Sequence, residues 1–221
     1  MPRYLPTYLE QESIFLSLQK AARQVQGGLL LDIGCGNRPY AFLFTTATQY
    51  VGIDLPAQDM TQRESDVWAS GLQLPFASER FDIVLCTQVL EHVPQPWRLI
   101  QEAFRVLKAG GGFILTAPQT WGLHEEPRDY YRFTRYGLQY LLESAGFEVK
   151  WLEARGGVFR MIGQTLLSFL YIHNQVRQLT PWLKSMNTML NTFFAYLDKR
   201  WPWEKDTLGY AAMSIRPALG S

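Results

Sequence analysis

The sequence predicts an α/β fold built on a mostly parallel sheet. Three observations carry that prediction. Short apolar runs recur along the first half of the chain, each with an apolar body and a polar or glycine end. Segments with helical spacing alternate with them. The stretch between the runs at 81–86 and 112–116 is long enough to be a strand–helix–strand crossover.

The elements follow in order. Thr7 and Glu10 have the spacing of a capping box, and Leu9, Ile14, Phe15 and Leu18 recur near helical period, so an amphipathic helix opens the chain. Gly27-Gly28 ends it. Leu29 to Ile33 reads as a buried strand entering a tight turn at Gly34-Cys35-Gly36, and 50–54, 81–86 and 112–116 repeat that design. Pro96 suits a first helical turn, Leu99, Ile100, Ala103, Phe104 and Leu107 supply the buried face, and glycines close the helix. Thr134 caps a helix over 135–145 that stops at Gly146, before a strand over 147–152. A last strand is expected over 208–215. The segment 55–67 is too short for both a crossover helix and a full strand, so a reduced or irregular connection is expected there. Residues 158–203 are rich in aromatic and aliphatic side chains without strand-like alternation, and read as a helical insertion before the final strand. The organisation is one domain: 1–28 an N-terminal helical segment, 29–157 the core, 158–203 the insertion, and 204–221 the final strand and tail.

The 221 residues are 47% hydrophobic and 19% charged, which suits a folded chain and excludes disorder. A formal net charge of +1 gives no field that argues for nucleic acid, so none is expected as a partner. Cys35 and Cys86 have no metal-ligand spacing and lie in apolar runs, which points to free thiols in a reducing compartment, the cytoplasm. No His, Asp or Glu spacing asks for a metal. The N-terminus lacks the basic and apolar regions of a secretory leader, and the apolar stretch 158–172 is interrupted and too short to span a bilayer.

Asp32-Ile33-Gly34-Cys35-Gly36 places glycines where backbone must approach a ligand closely, with a helix N-terminus expected after them to meet a carboxylate. Asp54 ends the next strand about 20 residues later, the distance at which an acid accepts hydrogen bonds from the ribose hydroxyls of an adenosine cofactor. A nicotinamide-dependent oxidoreductase is the weaker alternative, because Gly34 and Gly36 are followed by Pro39 where a third small residue belongs.

Leu-Asp-Ile-Gly-Cys-Gly, Gly-Ile-Asp, Leu-Pro-Phe followed by Phe-Asp-Ile-Val, Val-Leu-Glu-His-Val and Arg-Val-Leu-Lys-Ala-Gly-Gly occur in that order between about Leu29 and Leu152. Through them the chain resembles class I S-adenosylmethionine (SAM)-dependent methyltransferases of the type 11 kind. The resemblance implies a Rossmann-like fold with an antiparallel final strand, and SAM as cofactor. It implies that Asp32, Gly34 and Gly36 hold the methionine end, that Asp54 binds the ribose with Leu55 near the adenine, and that Asp66 meets the adenine amine. The spacing around Asp66 departs from the family's pattern, being shorter before it and longer after it. Thr87 and Gln88, at the sheet's C-terminal edge, are placed to face the methionine moiety. His92, in the family's Glu-His pair, is expected to pack or cap.

A SAM enzyme mainly has to align its acceptor with the methyl group and exclude water. His124 is the candidate base if the acceptor is a hydroxyl, histidine being the side chain that exchanges protons near neutral pH, and Glu125 is the reserve. Tyr130, Tyr131 and Arg132 lie in a loop dense in aromatics and charges that resembles a His-x-x-Pro-x-Asp-Tyr-Tyr-Arg-Phe-Thr motif of a subset of these enzymes. They are candidates for binding an acceptor or for bracing the following helix, Arg132 pairing with Asp129 or Glu126. The acceptor expected is a small molecule or a lipid- or glycan-linked precursor. A silent SAM-binding protein acting through a partner is the main rival. The aromatic insertion reads first as a packed helical layer, then as a lid, a homodimer face or a peripheral membrane contact.

Overall fold

The structure is a computed structural model that describes residues 1–25, 27–56, 64–173 and 179–218; the side chains of Ile172 and His173 lie outside the described residues. Seven strands form one sheet: β1 (Leu29–Ile33), β2 (Gln49–Asp54), β3 (Val67–Trp68), β4 (Phe81–Thr87), β5 (Leu107–Pro118), β6 (Glu148–Ala154) and β7 (Gly209–Ile215). Their order is β3-β2-β1-β4-β5-β7-β6. The pairs from β3 to β5 are parallel, and β7 is antiparallel to both β5 and β6. The expected mostly parallel sheet with a reversed final strand is therefore present.

Alternation along the central strands divides the core in two. Leu31, Ile33, Val84, Cys86, Phe113 and Leu115 face one cluster, while Leu30, Ile83, Leu85 and Ile114 face the other. The first cluster is covered by α2 (Pro96–Val106) and α3 (Arg135–Ser144), through Leu99, Ile100, Ala103, Leu138 and Leu142. The second is covered by α1 (Tyr8–Ala22), through Ile14, Leu18 and Ala21, and by a short 3₁₀ turn at Ala41–Leu43. Thr134 Oγ accepts from Gly137 N–H at the start of α3. At its end Gly146 takes φ +96°, which lets Gly146 N–H reach Glu143 O and Phe147 N–H reach Leu142 O.

Several expectations need correction. Thr7 precedes α1 without a side-chain cap: the Glu10 N–H it would accept from donates to Gln164 Oε1 at 3.1 Å, and the Glu10 side chain turns into the interior, where its Oε1 accepts from Arg155 Nη1 at 2.8 Å. Leu107 does not end α2. It turns straight into β5 and is fully buried opposite Phe81, so β5 begins five residues before the expected strand. The helix expected after Gly36 is reduced to the 3₁₀ turn within the fifteen residues between β1 and β2. The irregular connection expected over 55–67 is borne out at its described end: β3 has two residues, and its pairing is prolonged by Asp66 N–H to Gly52 O and Ala69 N–H to Asp54 O. Residues 57–63 of it lie outside the described residues.

The insertion holds α4 (Val158–Leu167), a π-helical turn (Ser168–His173) and α5 (Pro181–Arg200). It packs on the N-terminal segment through buried amides. Asn187 donates to Tyr4 O, Asn191 to Arg3 O and Leu5 O, and Gln164 to Pro6 O, so irregular backbone at 3–6 finds the partners that no strand or helix gives it. Asp198 on α5 accepts from Gly157 and Arg160 N–H groups at the start of α4. On the outer side Trp182, Phe193, Tyr196, Trp201 and Trp203 are each more than half exposed. No helix among the described residues is long and apolar enough to cross a membrane.

Candidate functional site

The strand order reverses direction between β1 and β4, which opens a crevice at the C-terminal ends of the strands where open α/β sheets bind ligands. A cavity of about 690 Å³ lies there. The end of β1 contributes Ile33, Gly34, Gly36 and Asn37, and the end of β2 contributes Asp54, Leu55 and Pro56. Ala69 to Leu72 follow β3, Gln88, Val89 and His92 to Pro94 follow β4, and Leu99 comes from α2. Glu125, Arg128 and Tyr130 come from the loop after β5.

The glycine loop folds tightly against β2. Gly34 and Cys35 N–H groups both donate to Ile53 O, and Gly36 N–H donates to Asp54 Oδ2 at 3.0 Å. Leu55 N–H donates to Asp54 Oδ1 at 2.7 Å, so two backbone donors aim this nearly buried carboxylate at the cavity. Gly34 sits at φ +70°, and a Cβ there would come within 2.3 Å of Val89 Cγ2. Glycine is what lets β1 and the segment after β4 converge on one cavity. Gln88 and Glu125, both on the wall, also hold positive φ, +54° and +52°, a conformation that costs non-glycine residues energy and that clusters at functional sites.

Of the thirteen residues singled out from the sequence, seven line the cavity: Gly34, Gly36, Asp54, Leu55, Gln88, Glu125 and Tyr130. Asp32 lies behind it, taking a hydrogen bond from Tyr50 Oη. Burial pushes the Asp32 carboxyl up to about 7, although the Tyr50 hydroxyl and Arg38 draw it down. An acid raised on folding binds more protons folded than unfolded, so its contribution is full below about pH 4 and lost as pH rises through 7. Asp32→Asn is expected to flatten this part of the stability profile, read by urea denaturation at pH 5 and 8; an unchanged pH slope would contradict it.

Asp66 does not reach the cavity wall. Its carboxylate accepts from Gly52 N–H at 2.8 Å and pairs with Arg38 at 2.6 Å. Ser70 stands on the wall instead, its Oγ accepting from Leu72 N–H. The long Asp66-to-Leu74 spacing was the signal that could have found it. Thr87 is one residue short of the wall, its hydroxyl buried, while Gln88 is held by its Nε2 to Thr116 Oγ1.

The acceptor candidates separate in the same way. Arg132 uses its guanidinium inward: Nη1 and Nη2 bind Asp129 at 2.6 and 2.8 Å, and Nε and Nη2 reach Trp121 O and Gly122 O. This fork holds the Asp129 carboxyl well below the usual carboxylate range. Tyr131 donates to Pro94 O and packs on the core. Both brace the loop, which Tyr130 and Tyr131 N–H groups pin to Glu91 O; of the three only Tyr130 faces the cavity.

His124 does not line the cavity. Its ring stands edge-on to His92, centroids 4.6 Å apart, and it is His92 that reaches the wall. Packing was the expected role of His92, and Asn37, Ser70 and Arg128 were not singled out; these are loop positions whose placement depends on tertiary contacts. Beneath the histidines Glu91 is fully buried, and burial pushes its carboxyl up to about 8. No described residue of the insertion lines the cavity.

Residues 31–115 match the family model described as a methyltransferase domain. An uncharacterized methyltransferase of Mycobacterium leprae is 39% identical over 99 residues, which are 41% of this chain and 37% of that protein, so the match spans well under half of that relative. One from Mycobacterium marinum is 32% identical over 171 residues, 64% of this chain and 67% of that protein. Among solved structures, phosphoethanolamine N-methyltransferase 2 of Haemonchus contortus, in complex with phosphomonomethylethanolamine and S-adenosylhomocysteine, is 16% identical. It superposes with a TM-score of 0.58 over 94% of this chain and 53% of that one, a likeness of fold. The M. marinum relative, the domain match over β1 to β5 and the sheet order together place the chain in the class I SAM-dependent methyltransferase family, in its type 11 branch.

Proposed function

We propose that the chain transfers a methyl group from SAM to a small-molecule or lipid- or glycan-linked acceptor. The observation that carries this reading is the meeting of Asp54 with the Gly34–Gly36 loop on one wall of the crevice between β1 and β4. A volume of about 690 Å³ suits a nucleoside-sized ligand with room beside it. Asp54 would hold the ribose hydroxyls, Leu55, Ala69 and Ser70 the adenine, and Gly34 and Gln88 the methionine end. SAM supplies an activated methyl group on a sulfonium, so the chain's own task is alignment and exclusion of water.

Leu72, Val89, Val93, Pro94 and Leu99 make an apolar floor, and Glu125, Arg128 and Tyr130 frame the other end, where the acceptor would enter. The charged rim and apolar floor suit an amphipathic acceptor. The relatives' names support methyl transfer as the reaction class and no particular acceptor.

The test is to incubate the protein with methyl-labelled SAM and fractionated cell extracts. Label is expected in one small-molecule or lipid fraction, and none with Asp54→Ala. Tight S-adenosylhomocysteine binding without transfer to any fraction would favour a silent SAM-binding protein that acts through a partner.

A further inference from the structure

We propose that Glu91, His92 and His124 form a site for a divalent transition-metal ion at the acceptor end of the cavity. One ligand atom from each lies within 4.8 Å of the others. The tautomers suit ligation. His92 Nδ1 is 2.7 Å from Arg128 O, and because a carbonyl can only accept, the proton sits on Nδ1 and leaves a lone pair on Nε2. His124 Nδ1 faces Gly122 O at 3.2 Å and the Asp129 carboxylate at 3.3 Å, which fixes the same tautomer. Carbonyl and carboxylate partners behind the ligating ring are the arrangement that orients metal-binding histidines and raises their basicity.

The second observation is Glu91. Its side chain is fully buried, neither carboxyl oxygen has a hydrogen-bond partner among the described residues, and Oε1 lies 3.9 Å from His92 Nε2. A carboxyl group buried without donors is costly to ionise, and a cation between it and the two imidazoles would take the place of its proton. Bonds of ~2.0–2.2 Å require the three atoms to draw together by about 1 Å, a movement within reach of the His124 side chain, which is 31% exposed.

Two imidazoles and one carboxylate suit ions of the zinc and iron(II) class, and three protein ligands leave a coordination position open. His92 is the ligand on the cavity wall, so that position faces the space beside Arg128 and Tyr130. Resting on the methyl-transfer reading, this assigns the acceptor to nucleophiles that a metal ion deprotonates, of which a hydroxyl is the simplest. A hydroxyl ligated there loses its proton to solvent and keeps both electrons on oxygen, ready to attack. The task expected of His124 as a base then passes to the ion that His124 helps to hold.

The test is a titration of the metal-free protein with Co²⁺, followed by visible absorption. Binding of one equivalent is expected, weakened at least about tenfold in His124→Ala and in Glu91→Gln, with folding of each checked by circular dichroism. His124→Ala alters a loop side chain and serves if Glu91→Gln fails to fold. Absence of binding, equal binding by wild type and His124→Ala, or a thiolate charge-transfer band marking a cysteine ligand would overturn the proposal. S-adenosylhomocysteine binding by the same metal-free sample separates this failure from failure of the methyltransferase reading.

Discussion

Glu10→Ala is expected to lower stability by about 3–5 kcal/mol, the range for removing one member of a buried ion pair. Arg155 is 1% exposed, and its guanidinium meets Glu10 Oε1 at 2.8 Å, Ser13 Oγ at 3.2 Å and Tyr210 O at 3.3 Å. Without the carboxylate its charge stays buried with no ion-pair partner among the described residues. The pair ties α1 to β6 and β7, and Gly209 makes room for it: a Cβ there would lie 2.4 Å from Arg155 Nη2. The double replacement Glu10→Leu with Arg155→Met removes both charges and should recover most of the loss, since apolar side chains of similar volume replace buried pairs at little cost. Urea denaturation midpoints check both. A loss below about 1 kcal/mol in Glu10→Ala would show that water reaches Arg155.

Gly34→Ala is expected to reduce S-adenosylhomocysteine affinity at least about tenfold, or about 1.4 kcal/mol. Two effects act together. The left-handed backbone costs an L-residue about 1–2 kcal/mol, and the new methyl group, 2.3 Å from Val89 Cγ2, must push Val89 into the cavity or carry the loop away from it. Gly36→Ala separates them, because at φ +51° its Cβ would meet nothing within 4 Å. The backbone cost of about 1–2 kcal/mol is expected there without the Val89 contact, so the affinity loss should be smaller than in Gly34→Ala. Equal affinity losses in the two variants, measured by calorimetry, would show that the Val89 contact has no part in shaping the cavity.

The strands and the cofactor end were legible because both are local patterns. An apolar run ending in glycine or aspartate states its own type, and the Gly34-Cys35-Gly36 and Asp54 signals need only two neighbouring strands to meet. The capping box failed for a long-range reason: the Glu10 N–H serves Gln164 and its carboxylate serves Arg155, partners far along the chain that no window around Thr7 contains. The start of β5 was hidden in the same way. Leu107 continues the apolar face of α2, and pairing with Phe81 takes it into the sheet.

The acceptor end was legible as a dense loop and illegible in its roles. Arg132 and Asp129, three residues apart, complete a fork that uses the arginine within its own loop, leaving Tyr130 to face the cavity. His92 and His124 lie 32 positions apart and become neighbours where the loop after β5 is pinned by Tyr130 and Tyr131 N–H groups to Glu91 O and by Arg128 O to His92 Nδ1. No spacing rule marks such a pair.

The central claim is that Asp54 and the glycine loop bind the adenosyl cofactor, and calorimetric titration of the purified protein with S-adenosylhomocysteine tests it without knowledge of the acceptor. The account predicts saturable binding at one site, lost in Asp54→Ala while the variant remains folded. Absence of binding to the intact protein, or equal binding by Asp54→Ala, would contradict it.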